Sequence, residues 1–302
     1  MSIAVHFDQP VGGSIRRALV HGGAVNVTSP SPTSVALAMF ARELIGDAFG
    51  GRDPELAQFD LPAADHDAIL GTLLCRFTGH PEAARLVADL LLKRGCDPET
   101  TYVARPRLNA QTSNVTGPGG WRPCRDTWRA APPAQLDHWV PVYEVDEHAS
   151  PELMTMTLYP NYFSRAVAND SAHYHHHDPH RAARPRPGPT ETVDPFSAAA
   201  FVTPVGGVLQ FSGQHLYSSA PTECDRTRFT VEFETVDVGD VRAGLGARNV
   251  DGRCTGSSIG DFVRAVDHAP MPEDVIAMFD RRTEPAADRV HADRGRPAFT
   301  KA

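Results

Sequence analysis

The spacing of apolar residues changes near residue 100. Before that point it is helical. In PTSVALAMFARELIGDAFGG, which begins at Pro32, the residues Leu37, Phe40, Ala41, Leu44, Ile45 and Ala48 fall at i, i+3, i+4 intervals. Ser31 ahead of Pro32 predicts an N-cap with proline at the first helical position, and Gly50-Gly51 predicts the stop. DHDAILGTLLCRF and HPEAARLVADLLLKRG predict two more helices, the second ending at Gly95. Helices with one apolar stripe need a surface to cover, and a sheet is the expected partner.

From Thr101 the chain breaks into short strand-like pieces separated by Pro and Gly: TYVARPRL, QLDHWVPVYEV, LMTMTLYP, AAFVTPVGGVLQFSG and RFTVEFETV. Many short strands in about 140 residues predict a sandwich or barrel. In the last piece Phe229, Val231 and Phe233 alternate with Arg228, Thr230, Glu232 and Glu234, so one face is apolar and the other polar. A polar face carrying an arginine suits a barrel that opens onto a ligand cavity. Residues 171–195, rich in Pro and Arg, predict a loop over the barrel mouth. Its histidines, His173, His175, His176, His177 and His180, read as solvated loop residues rather than a metal site.

Composition narrows the function classes. The 302 residues are 22% charged and 41% apolar, which is ordinary for a globular protein. A formal charge of −8 argues against a nucleic-acid surface and leaves a small-molecule substrate as the expected partner. No apolar run is long enough for a membrane span, and MSIAVHFDQPVGG lacks the pattern of a signal peptide. Cys75, Cys96, Cys124, Cys224 and Cys254 are odd in number, widely spaced and without a C-x-x-C pair. Neither a zinc ribbon nor a disulfide framework is expected, and a reducing cytoplasm is the expected location.

Three stretches carry a resemblance: RDTWRAAPPAQLDHWVPVYEV, YPNYFSRAVAND and GGVLQFSGQHLYSSAPTECDRTRFTVEF. With these the chain resembles the phytanoyl-CoA dioxygenase-like branch of the iron(II)/2-oxoglutarate oxygenases. The resemblance implies a mainly β fold, a double-stranded β-helix or jelly-roll core flanked by helices. It implies one integrated domain over residues 1–285: a helical layer at about 30–95, the jelly-roll at about 100–240 and closing helices at about 256–281, with residues 286–302 a flexible tail.

The metal site of that family is a His-x-Asp pair plus a distant His, with a distal arginine that grips 2-oxoglutarate. Here Asp126 falls on the Asp position and Arg228 on the arginine position, but Cys124 stands at the first His position. The second His position falls on Tyr217, with His215 two residues before it; a shifted alignment instead makes His215 the ligand and puts Arg226 at the arginine's distance. Thiolate, carboxylate and phenolate together would favour iron(III) over the ferrous state that oxygen activation needs. Without a metal, Cys124 and Tyr217 are protonated near neutral pH and Asp126 is a candidate general base.

Three readings therefore stand. The first is a biosynthetic enzyme without a cofactor, performing a non-oxidative acid–base reaction such as cyclisation, isomerisation, elimination or addition. Its candidate catalytic residues are Asp126, Tyr217, Cys124 and His215, with Arg228, Gln135, Thr127 and Trp128 binding substrate. The second is an active oxygenase that keeps Fe(II) and 2-oxoglutarate, with Asp126 and His215 as metal ligands. The third is a catalytically silent binding or partner protein. The plainer alternatives are packing for Cys124 and Tyr217, an ion pair of Asp126 with Arg122 or Arg125, a pair of Arg228 with Glu232, and core burial for Trp121, Trp128 and Trp139.

Overall fold

The computed structural model describes residues 3–112, 122–143, 155–180, 185–219 and 226–280. Trp121, the segment 114–120, Cys224 and the tail lie outside them. In chain order the elements are β1 (Val5–Phe7), α1 (Gly13–Gly22), β2 (Val25–Thr28), α2 (Pro32–Phe49), α3 (Ala57–Asp60), α4 (Ala63–Thr78), α5 (Pro81–Lys93), β3 (Thr101–Val103) and β4 (Arg107–Gln111). Then follow β5 (Leu136–Pro141), β6 (Thr155–Leu158), β7 (Ala199–Val202), β8 (Val208–Ser212), β9 (Tyr217–Ser219), β10 (Arg228–Asp237), α6 (Val238–Arg242), β11 (Val263–Arg264) and α7 (Glu273–Asp280).

The larger sheet runs β1-β2-β8-β5-β10-β3-β11, with β4 also on β10; a smaller one runs β7-β6-β9. Apart from the parallel β1–β2 pair, these strands pair antiparallel. Trp139, Leu209 and Phe211 from the large sheet pack with Met156, Leu158 and Phe201 from the small one, so the two sheets enclose a common interior. The helices cover the other face of the large sheet. There Phe229, Val231 and Phe233 join Leu37, Ile45 and Phe49 of α2 and Leu86 and Leu90 of α5. Each such side chain, fully buried, contributes about 2 kcal/mol.

Local signals account for the helix ends. Ser31 and Ser34 form a reciprocal capping box at the start of α2, and Gly50 ends it with φ of 59°. His80, not a Ser or Asp, caps α5 by accepting from the Glu82 backbone N–H. The closing region differs from expectation. The described part of the predicted 256–281, residues 256–280, holds a 3-10 turn at Ser258–Asp261, then β11, then α7, with Pro270 and Pro272 just ahead of that one helix. The first α-helix and the strands β1 and β2 were not signalled by the sequence pattern, since β1 and β2 are too short to show a period.

No helix among the described residues is long and apolar enough to cross a membrane.

Candidate active site in the two-sheet interior

The polar face of β10 is where the site forms. Glu234 lies directly across from Asp137 of β5 in the antiparallel register, so both carboxyl groups project into the interior. Asp126 reaches the same place from a 3-10 turn, Asp126–Arg129. Oxygens of Asp126, Asp137 and Glu234 come within 4.8 Å of one another. Three buried carboxylates that close need compensation.

Two arginines supply it. Arg107 of β4 makes a two-pronged ion pair with Glu234. Arg129, one turn beyond Asp126, donates to Asp126 Oδ1. The turn that brings it back ends at Ala130, held at φ of 68°, a conformation rare for a residue with a Cβ. Arg129 also donates to the Tyr217 hydroxyl at 3.3 Å. Tyr217 in turn donates its own O–H to Asp126 Oδ1 at 2.7 Å, and Gln135 Nε2 donates to Asp126 Oδ2 at 2.9 Å. The same Gln135 nitrogen donates to Asp137 Oδ1 at 2.7 Å, while Asp137 Oδ2 has no hydrogen-bond partner.

Backbone pairing fixes this arrangement. Cys124 and Tyr217 exchange N–H···O bonds of 2.8 and 2.9 Å, which brings the Asp126 turn against β9. Asp126 and Thr127 both donate backbone N–H groups to Gly213. A Cβ at Gly213 would come 3.2 Å from Gln135 Nε2, so this close approach suits glycine.

The environments push the carboxyl groups apart. Burial raises Asp137 well above the usual carboxylate range, and the charges of Asp126 and Glu234 add to that rise. For Asp126 burial acts upward too, but Arg129 and the Tyr217 hydrogen bond outweigh it and hold Asp126 below its ordinary value. Burial pushes the Tyr217 phenol and the Cys124 thiol upward, so both stay protonated at neutral pH. Burial raises Glu234 above its ordinary value too, with Arg107 opposing the rise; the cluster thus sets Arg129 against Asp126 and Arg107 against Glu234, and leaves Asp137 the carboxyl pushed furthest toward its neutral form.

A cavity of about 210 Å³ opens on this cluster, with Arg107, Asp126, Arg129, Gln135 and Glu234 on one wall. A second, smaller space of about 20 Å³ lies between Asp126, Trp139, Met156, Phe211 and Tyr217, enough for about one water. The Trp139 ring that lines this chamber carries the Arg228 guanidinium on it, 5.6 Å from the ring centroid.

Other sequence-derived candidates lie elsewhere. Arg228 is buried and donates to the Thr155 carbonyl at 3.0 Å and to Gln111, rather than to Glu232. His215 sits against Phe163, ring centroids 4.7 Å apart, and also meets Phe211 edge-on. Burial lowers its pKa to about 3, so it is a neutral imidazole. Trp128 donates its indole N–H to Asp251 at 2.7 Å and packs with Tyr162, Val167 and Leu216, with Cys124 at the edge of that cluster. Trp139 belongs to the separate sheet–sheet core. Thr127 is buried beside Asp126 but does not line the cavity. Arg125 pairs with Asp251, not Asp126. Arg107, Arg129 and Asp137 escaped the sequence reading, and Glu234 was marked only as part of the polar face of its strand. For Asp137 the signal was present: an acid inside the apolar strand LDHWVP, alternating with Trp139.

Iron(II) and 2-oxoglutarate do not fit these residues. Both oxygens of Asp126 are engaged by three donors, Tyr217 spends its proton on Asp126, and the cation of Arg129 lies against both oxygens that would bind a metal. Arg228, at the position that the resemblance gives to the 2-oxoglutarate arginine, is already engaged by the Thr155 carbonyl and Gln111.

No family model matches the chain, and no curated protein matches it. Among solved structures, EctD from S. alaskensis in its apoform is 16% identical, with 79% of this chain and 83% of that one covered and a TM-score of 0.42. SnoK, a non-heme alpha ketoglutarate dependent carbocyclase from nogalamycin biosynthesis, is 15% identical over 74% of this chain and 82% of its own, with a TM-score of 0.39. EvdO2 from Micromonospora carbonacea var. aurantiaca is 17% identical over 57% of this chain, with a TM-score of 0.36, and the chain spans 64% of its length. Likeness at these scores assigns no activity.

Proposed function

We propose that this chain is a small-molecule enzyme of biosynthetic type, a jelly-roll relative of the oxygenases, that catalyses a non-oxidative acid–base reaction: a cyclisation, isomerisation, elimination or addition. The observation that carries the reading is the pair Asp126 and Asp137, bridged by one Gln135 nitrogen at 2.9 and 2.7 Å, with environments that ionise the first and keep the second protonated. Carboxyl groups driven apart in this way divide the roles of base and acid.

Asp126, on the cavity wall, accepts a proton or hydrogen bond from the substrate. Arg129 and Tyr217 hold its charge. Asp137 is the acid in reserve, with one oxygen unpartnered. Glu234 and Arg107 hold polar substituents on the same wall. General acid–base groups of this kind contribute about 10²–10⁴ in rate.

The test is an anaerobic titration of untagged protein with iron(II) and 2-oxoglutarate, watching for the visible charge-transfer band of the chelate. No band is expected in folded protein. A saturable, stoichiometric band would overturn the reading and return the chain to oxygenase chemistry.

A further inference from the structure

The charged residues on the cavity wall differ in how much of themselves they show. The side chains of Asp126 and Glu234 are only 7% and 9% exposed. Every carboxylate oxygen of the two already accepts a hydrogen bond, for Asp126 from Arg129, Tyr217 and Gln135, for Glu234 from both Nη atoms of Arg107. Their partners are open. The Arg107 side chain is 43% exposed and that of Arg129 25%. Arg129 spends Nη2 on Asp126 and Tyr217, and its Nε is shut in without a partner. Its Nη1 is not shut in and has no hydrogen-bond partner among the described residues. Arg107 spends one N–H of each Nη on Glu234, which leaves the second N–H of each and its Nε–H.

A guanidinium carries five donors in one plane and accepts nothing, so N–H groups left over beside an ion pair call for an acceptor, best an anion. Arg107 and Arg129 line the same cavity and lie close enough for their charges to repel, which an anion set against both relieves. Tyr174, Phe262, Ala104 and Ala131 supply apolar surface to the same space of about 210 Å³. We infer that the substrate of this cavity bears a carboxylate, held by the free N–H groups of Arg107 and Arg129, on a small apolar body that packs against Tyr174 and Phe262. The inference rests on the acid–base reading of the cavity and names its substrate class. A monoanion suits the wall better than a phosphate, which brings nearly two charges beside Asp126 and Glu234. Arg129 then bridges base and substrate, Nη2 on Asp126 and Nη1 on the ligand, which holds the carbon next to the carboxylate close to the base. The rival is an amine, because Asp261 also lines the cavity with a side chain 57% exposed.

Three single-ring probes of similar size separate these ligands: benzoate, benzamide and benzylamine. Isothermal titration of the full chain, metal-free, at low salt and neutral pH, is expected to show benzoate binding saturably at one per chain. Benzamide and benzylamine should bind about tenfold more weakly or worse, and added salt should weaken benzoate. Arg107→Gln leaves Glu234 able to protonate and should weaken benzoate about tenfold or more while melting like the parent. Glu234→Gln acts in the other direction. It releases Arg107 from its ion pair, so benzoate should bind several-fold more tightly, a gain that damage to the fold does not produce. That variant keeps the test decisive even if Arg107→Gln fails to fold. No saturable benzoate binding, benzamide or benzylamine binding as tightly as benzoate, unchanged affinity in a folded Arg107→Gln, or weaker binding in Glu234→Gln would each overturn the assignment. Binding is read without metal and without turnover. The iron titration can therefore overturn the acid–base reading while benzoate still binds, and benzoate can fail while no iron band forms.

Discussion

The Tyr217 hydroxyl donates to Asp126 Oδ1 at 2.7 Å across 91 positions of sequence. Two residues that the sequence offered as candidates for one site are here a donor and an acceptor bonded to each other. Tyr217→Phe removes one of three donors from a buried, charged acceptor and leaves Arg129 and Gln135. A loss of about 2 kcal/mol is expected in chemical denaturation, with a clear fall in turnover. Asp126→Ala is more severe, because it takes away the carboxylate opposite the partly buried Arg129 and leaves that guanidinium the Tyr217 hydroxyl alone, at a cost of about 3 kcal/mol. Turnover intact in both variants would sink the acid–base mechanism.

Asp137 gives stability a characteristic pH dependence. Its folded pKa is raised, so between its unfolded value and that raised value the folded state binds more protons than the unfolded one. Its contribution therefore falls as pH rises from the ordinary carboxylate range toward the folded pKa. Asp126 has the opposite sign: its folded pKa is depressed, and its contribution is lost as pH falls below the ordinary carboxylate range. Asp137→Asn abolishes the first effect only. Denaturation midpoints across pH should show the variant gaining on the parent as pH rises, and a constant gap would contradict a raised Asp137.

Legibility in the sequence followed distance. The cap at Ser31, the stop at Gly50 and the alternation in β10 are local rules, and the structure repeats them. Asp126 and Tyr217 stood out only through the resemblance, yet they meet. The compensating charges did not stand out. Arg107 and Arg129 are ordinary arginines until β10 brings Glu234 across from Asp137 and the turn at Ala130 folds Arg129 back. His176, read with its neighbours as a solvated loop residue, is in fact 6% exposed with its Nε2 3.0 Å from Asp261 Oδ2: five histidines in eight positions look alike, and only that contact, 85 residues on, distinguishes one. Tertiary partners decide the role of a polar residue, and spacing along the chain does not carry them.

The position of Arg129 sets what restoring a metal site would need. Cys124→His with Tyr217→His places two imidazoles at the positions that the resemblance implies for metal ligands. Arg129 still lies on Asp126 in that double variant, and a guanidinium and a metal ion repel each other at one carboxylate. The double variant should take up little iron(II), and adding Arg129→Ala should make uptake stoichiometric. Metal content after anaerobic loading and desalting reads the difference. Equal uptake by the double and triple variants would show that Arg129 does not guard Asp126.

Arg125 tests the frame behind the site. It is wholly buried and donates to the carbonyls of Gln214 at 3.1 Å, Tyr162 at 2.5 Å and Arg165 at 2.8 Å, with Asp251 at 3.5 Å. Burial lowers its pKa to about 10, and Asp251 opposes that fall, so the guanidinium stays charged at neutral pH. One side chain thus ties the Asp126 turn to the segment after β6 and to the Gly213–His215 turn that carries Tyr217. Arg125→Met keeps much of the volume but strands three carbonyls and the Asp251 carboxylate. A loss of about 3–5 kcal/mol is expected, more than for either cavity-wall variant Glu234→Gln or His176→Gln. Asp251 also accepts from Trp128 and from the Val167 backbone N–H, so Asp251→Asn should cost less than Arg125→Met. The reverse order in urea denaturation would mean that Asp251, not Arg125, organises this corner of the fold.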